Sequence, residues 1–193
     1  MLRRVIRTVA LLLILGAPRI ASADWIYLLN GLNTLGVVDL GAPGQLVATI
    51  PVTGLPAREY LTDIGFRPKD GQLYAIAPFQ QNGVQSSVAH LYRVHMLTGA
   101  ATRIGTIDLP LDADEPSLAF NPITDELRIM SSNGLNYRVN PDTGAIVGGQ
   151  PDTPIPGGNY AVTSLAHAYD TPGTLGTTLY AISSACRRPT AAR

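Results

Sequence analysis

The residues able to do chemistry are few and scattered. Asp112, Asp114 and Glu115 form the densest acidic cluster and fall in a loop sequence. Alternating loop carboxylates suit calcium, a hard ion that takes oxygen ligands. The stretch has no glycine at the EF-hand turn position and no distal bidentate Glu, so a solvated connector is the favoured reading. His90, His95 and His167 are spread out, and the odd separation of His90 and His95 puts them on opposite faces of one strand. H-E-x-x-H, G-x-S-x-G and a Gly-rich phosphate loop are all missing from the sequence. Ser131-Ser132 follows an apolar strand but has no His placed as its base. Catalysis would need a polar constellation converging at one end of the fold, and the nominees for such a binding site are Asp63, Asp125 and Arg128. Arg128 and Arg138 lie in adjacent strands within reach of Asp125 or Glu126, where a surface pair contributes little. No cofactor is implied.

These residues sit in a sequence organised by strands and turns. Phe120 to Ala145 holds two apolar strands, LRIM and NYRV, with N-P-I-T-D before the first and N-P-D-T-G after the second. Phe66 to Ala101 has the same design: FRPKDGQLYAIAP, a longer middle loop QQNGVQSSVA, then HLYRVHMLTGA. Phe66 and Phe120 are 54 residues apart, as are Leu73 and Leu127, and Leu179-Tyr180-Ala181-Ile182 begins another copy. Recurrence at this spacing points to a repeat architecture. The N-P-D-T-G segment is therefore read as turn chemistry: Pro fixes φ, Asp caps and Gly accepts positive φ.

Four units follow. WIYLLN, TLGVVDL and QLVATIPV make the first, and Tyr60 to Ile107 supplies four strands for the second. Pro116 through LRIM, NYRV and AIVGG makes the third, and Val162 to Ala168 with Thr178 to Ser183 begins a fourth. Units of roughly 45–54 residues joined by polar turns predict an all-β, propeller-like array of four-stranded antiparallel blades, incomplete at the C-terminal end. Leu73, Ala75, Ile129 and Tyr180 are expected at matching positions in successive blades. Tyr74, Tyr92, Tyr137 and Tyr180 recur in strands and are read as packing residues rather than a carbohydrate platform.

Composition agrees. The 193 residues include 19 Gly and 15 Pro, are 15% charged and 46% hydrophobic, and carry no net formal charge. MLRRVIR, then TVALLLILGA, then Ala21-Ser22-Ala23 has the form of a cleaved signal peptide over residues 1–23. Arg3-Arg4 leaves the general and twin-arginine routes both open. With Arg3, Arg4, Arg7 and Arg19 removed from the 14 basic residues, 10 remain against 14 acidic ones. A mildly acidic chain without basic runs is a poor partner for nucleic acid or anionic membranes. The expected location is the periplasm or the cell exterior, with no stable membrane anchor after cleavage. Cys186 is the only cysteine, so an internal disulfide is impossible.

Phe66-Arg67-Pro68, Leu73-Tyr74, Thr98-Gly99-Ala100-Ala101-Thr102, Phe120-Asn121-Pro122, Asp125, Leu127-Arg128 and Asn136 to Gly144 together resemble the bacterial domain-of-unknown-function 4394 family. The likeness runs over about residues 25 to 183. It implies an exported, propeller-like protein and brings no established activity. After LYAI this chain reads SSACRRPTAAR where members continue through another strand pair, which is read as truncation. Residues 24–183 then form the repeat domain and 184–193 an atypical tail. An incomplete array would leave an open sheet edge available for self-association. The expected role is a non-catalytic binding or interaction module. The alternatives are a propeller-type lyase, hydrolase or cyclotransferase, and a truncated product without activity.

Overall fold

The computed structural model describes residues 25–81, 84–109, 116–131, 134–154, 160–169 and 176–186. The signal segment, the 110–115 connector that holds Asp112, Asp114 and Glu115, and the tail from 187 onward lie outside the described residues.

Twelve strands are found among the described residues, in four small antiparallel sheets. Sheet I is β1 (Trp25–Asn30), β2 (Thr34–Asp39) and β3 (Leu46–Pro51). Sheet II is β4 (Asp63–Phe66), β5 (Leu73–Gln81), β6 (Val84–Val94) and β7 (Ala101–Asp108). Sheet III is β8 (Ser117–Phe120), β9 (Leu127–Met130) and β10 (Asn136–Val139). Sheet IV pairs β11 (Tyr160–Tyr169) with β12 (Thr177–Cys186).

Strand alternation decides how the sheets stack. Successive side chains of a strand point to opposite faces, and in β5 both faces are apolar. Leu73, Ala75 and Ala77 pack with Leu35 of β2, and with Tyr27, Leu29 and Ile50 of the same sheet. Tyr74 and Ile76 pack the other way, against Leu118, Phe120, Leu127, Ile129 and Tyr137 of sheet III. Sheet III repeats the arrangement: Ala119 and Met130 leave its far face to meet Val162, Leu165 and Leu179 of sheet IV. The order of layers is therefore I, II, III, IV. The first strands of the sheets also meet, β4 beside β8 and β8 beside β11, and the rings of Tyr27 in β1 and Phe66 in β4 are 5.7 Å apart.

Sheets I and II are stitched where Thr53 bridges Ala100, with Thr53 N–H donating to Gly99 C=O at 2.9 Å. Gly99 is needed there, because a Cβ would lie 2.1 Å from the Pro51 carbonyl oxygen and its φ is +70°.

Three expectations are corrected. Four strands are found only in sheet II, among the described residues. In sheet III the anticipated fourth strand, AIVGG, is reduced to isolated bridges from Ile146 to Val139 and Asp152 to Asn136, with a 3-10 turn at Val147–Gly149. Gly148 and Gly149 have φ of 79° and 70°, which no extended strand accommodates. The described residues of the middle loop QQNGVQSSVA are instead strand, since β5 and β6 stay paired out to Gln81↔Val84. The two residues between those partners are Asn82-Gly83, a strong hairpin-turn dipeptide. Finally, Tyr180 does not match the fully buried Leu73, Ala75 and Ile129, being 60% exposed. It stands opposite Ala166, while its neighbour Leu179 takes the inward face. A one-residue change of phase moves a side chain across the sheet.

Candidate functional site

The site is built by turns. Four five-residue turns close with the same pair of backbone hydrogen bonds, at Arg67–Gly71, His95–Gly99, Asn121–Asp125 and Asn140–Gly144. In each, the first N–H donates to the carbonyl following the turn, and the fifth N–H donates back to the first carbonyl. The fifth residue has positive φ: 65°, 70° and 78° at the glycines, and 58° at Asp125. Asp125 is thus an aspartate in a conformation where its three counterparts are glycine.

What holds it there is Arg67. Its side chain is 5% exposed and its guanidinium donates on two sides. Nε and Nη2 reach Asp125 Oδ1 and Oδ2 at 2.7 and 2.6 Å. Nη1 and Nη2 reach Asp142 Oδ1 and Oδ2 at 2.6 and 3.1 Å. Nη1 also donates to the Tyr74 hydroxyl at 3.1 Å. Lys69 Nζ adds a bond to Asp125 Oδ2 at 3.0 Å. Paired forks of this kind are the strong class of hydrogen bond. They hold the carboxyls of Asp125 and Asp142 below the usual carboxylate range, with the Arg67 bonds the main cause. The two aspartates in turn hold Arg67 firmly charged.

Beside this knot lies a cleft of about 470 Å³ lined by Pro68, Lys69, Asn121, Pro122, Ile123 and Asp125. Pro68 and Pro122 also border a second cleft of about 350 Å³, whose walls include Ile64, Phe66, Leu118, Phe120, Leu165 and His167. Its floor comes from β4, β8 and β11. His167 is shut off at both ring nitrogens, neither of which has a hydrogen-bond partner. Burial, aided by the charge of Arg128, pushes its pKa below the ordinary imidazole value.

The three nominated residues have separate partners. Asp125 lines the first cleft. Asp63, at the head of β4, accepts from the Ile64 N–H at 2.8 Å and from the Leu118 N–H at 2.8 Å, and so ties β4 to β8. Burial raises its pKa to about 6, against the lowering effect of those two donors. Arg128 stands opposite Arg138 in the β9–β10 register. Asp152 offsets the repulsion by accepting from Arg128 Nη1, from Arg138 Nε at 2.8 Å and from Arg138 Nη2 at 3.1 Å. No hydrogen bond links Asp63, Asp125 and Arg128 to one another among the described residues. The described residues also contain no group of three His, Cys, Asp or Glu placed to hold a metal ion.

One constellation was invisible in the sequence. Glu59, in the connector between sheets I and II, accepts at Oε1 from the Tyr92 hydroxyl at 2.9 Å and lies 2.8 Å from His90 Nδ1. Asn33 aims it, donating to the Glu59 carbonyl at 2.9 Å and accepting from the Leu61 N–H at 2.8 Å. All three side chains are buried. Burial first, and then the Glu59 carboxylate, push the Tyr92 phenol well above its ordinary pKa. Enclosed in this way, the set clamps a connector onto β6. Arg67 was likewise seen only as a turn residue. Its signal was an arginine at a turn's first position, where two sister turns carry Asn and end in or contain Asp.

The fold and the site define an all-β protein of stacked small sheets, with an ion-paired turn cluster beside an uncommitted cleft. Residues 34–188 match the family described as a domain of unknown function (DUF4394), and the chain belongs to that family. Comparison with curated protein sequences gives no match. Among solved structures, Sqt1 of Saccharomyces cerevisiae is similar at 14% identity and a TM-score of 0.37. The likeness covers 76% of this chain and 50% of Sqt1, so the chain spans about half the length of that protein.

Proposed function

We propose that this chain is an exported, propeller-like repeat protein that acts as a non-catalytic binding module, with its ligand in the cleft between the Arg67–Gly71 and Asn121–Asp125 turns. The observation that carries the reading is the commitment of the charged groups around that cleft. Arg67 is saturated by Asp125 and Asp142, and Lys69 leans on Asp125. General acid–base chemistry needs a titratable group within reach of substrate and free to exchange a proton. The cleft instead offers proline and isoleucine surface, peptide groups and one exposed ammonium, the usual make-up of a recognition site. The propeller-like arrangement is supported by the adjacency of the first strands β4, β8 and β11, and the repeat by the four equivalent turns. Export rests on the basic, apolar and Ala-Ser-Ala pattern of residues 1–23.

The test uses residues 24–193, ¹⁵N-labelled, screened by NMR against a fragment library that includes monosaccharides and capped dipeptides. Binding shifts clustered at Lys69, Ile123 and Asp125, with every fragment recovered unchanged, are the expected result. Chemical turnover abolished by Asp125→Asn would replace this reading with the enzyme alternative. A spectrum without dispersed amides would favour the inactive product.

A further inference from the structure

We propose that two copies of this chain associate head to tail, the outer face of sheet I in one copy packing on the outer face of sheet IV in the other, twice, about a two-fold axis. The inference rests on the stacking of the sheets and is independent of the ligand cleft. Inside the chain, the facing surfaces of neighbouring sheets bury one another, as the three core layers show. The described sheets leave two outer faces that no other described residue covers. On sheet I the outward positions include Ile26, Leu28, Val38 and Leu46, with Leu28 opposite Gly36 and Val38 opposite both Ile26 and Leu46. Leu28 is 49% exposed and Leu46 58%. On sheet IV, Tyr180 and Ile182 are 60% and 67% exposed and stand opposite Ala166 and Ser164.

Neither set of outward positions carries a charge. A monomeric sheet ordinarily guards such a surface with charged side chains. On sheet I, Leu28, Asn30, Thr34, Leu46 and Thr49 line a shallow hollow of about 280 Å³, with Leu46 Cδ2 lying over Gly36, while sheet IV presents the Tyr180 ring and Ile182 beside Ala166 and Ser164. The area is of the right order. Three six-residue strands, or two ten-residue strands, cover roughly 300 Å² of plane at about 3.4 Å per residue and 4.8 Å per strand. Two such faces give each copy about 600 Å² before side-chain relief is added, near the ~800 Å² per partner of stable complexes. Because the faces differ, a single contact would propagate into open chains, whereas two related by a two-fold close the assembly. Eight sheets would then surround one axis, within the range of closed propellers.

The experiment is sedimentation equilibrium on residues 24–193 in a Cys186→Ser background, over a wide concentration range. A dimer is expected, with its dissociation constant raised at least about 30-fold by either Leu28→Lys or Ile182→Lys. Both substitutions fall at exposed positions, and circular dichroism verifies that each variant folds. Mixing Leu28→Cys copies with Tyr180→Cys copies should give a disulfide-linked pair on oxidation. A monomer at ~100 µM, well above the dissociation constant of a stable interface, overturns the proposal, as does a dimer indifferent to both lysines. An open-ended ladder of oligomers overturns the two-fold closure.

Discussion

Asp63 shows how a carboxylate in a reactive-looking position can be structural. Its two oxygens receive the N–H groups of Ile64 and Leu118, and the second of these starts an otherwise separate sheet. Burial dominates its titration and raises the pKa to about 6 from a model-peptide value of 3.8. An acid raised on folding contributes stability that is fully present below the unfolded pKa and is lost as pH climbs through the folded one. Stability should therefore fall by about 2 kcal/mol between pH 4 and 6 on account of Asp63 alone. His167 acts in the opposite sense: its lowered pKa withdraws stability as pH drops below about 6.5. Asp125, Asp142 and Asp152, all lowered, lose theirs only below the ordinary carboxylate range. The difference between wild type and Asp63→Asn isolates the Asp63 contribution. Urea midpoints at pH 4.5, 5.5 and 6.5 should favour wild type most at the lowest pH. A constant difference across that range would mean that Asp63 keeps an ordinary pKa.

At the scale of the element, the Asn121–Asp125 turn sets conformation against electrostatics. An L-residue in the left-handed region costs about 1–2 kcal/mol, which glycine avoids. Asp125 accepts that cost because its carboxylate completes the fork from Arg67. Asp125→Ala keeps the strain and loses the pair, and should lower unfolding stability by about 2–3 kcal/mol. Asp125→Gly loses the pair but also the strain, and should be about 1 kcal/mol better than the alanine variant. Thermal melts of the three proteins decide the matter, and an alanine variant as stable as wild type, with the glycine variant more stable than both, would show that the fork contributes nothing. The turns themselves were legible in the sequence, because Pro, Asp and Gly at fixed offsets carry local chemistry. Strands such as LYAIA and LRIM were legible for the same reason, through their alternation. Arg67's role was not, since it joins residues 58 and 75 positions away. The Glu59–His90–Tyr92 clamp also depends on tertiary distance. The 80–89 segment was misjudged for a different cause: its polar, Gly-containing composition was taken as loop, whereas β5 and β6 stay paired out to Gln81↔Val84.

Across the whole molecule, burial is uneven, and so should be the resistance to opening. Among the described residues, the layer between sheets II and III unites twelve buried side chains, including Tyr74, Leu127 and Tyr137. Among the described residues, the layer between sheets III and IV has four: Ala119, Met130, Val162 and Leu165. At about 25 cal/mol for each Å² of apolar surface buried, the first layer stabilises its neighbours several-fold more than the second. Sheet IV has in addition two strands among the described residues, a size that is marginal on its own in water. Native-state hydrogen exchange on the Leu28→Lys variant should therefore rank the amides, with β5, β6 and β9 opening only on global unfolding. Those of β11 and β12 should open at a free energy lower by about 2 kcal/mol or more. Met130→Ala, which thins the weaker layer, should lower protection in β11 and β12 further while leaving β5 nearly unchanged. If β11 exchanges with the same free energy as β5 in both proteins, the four sheets unfold as one unit. The second layer would then be as strong as the first, despite its size.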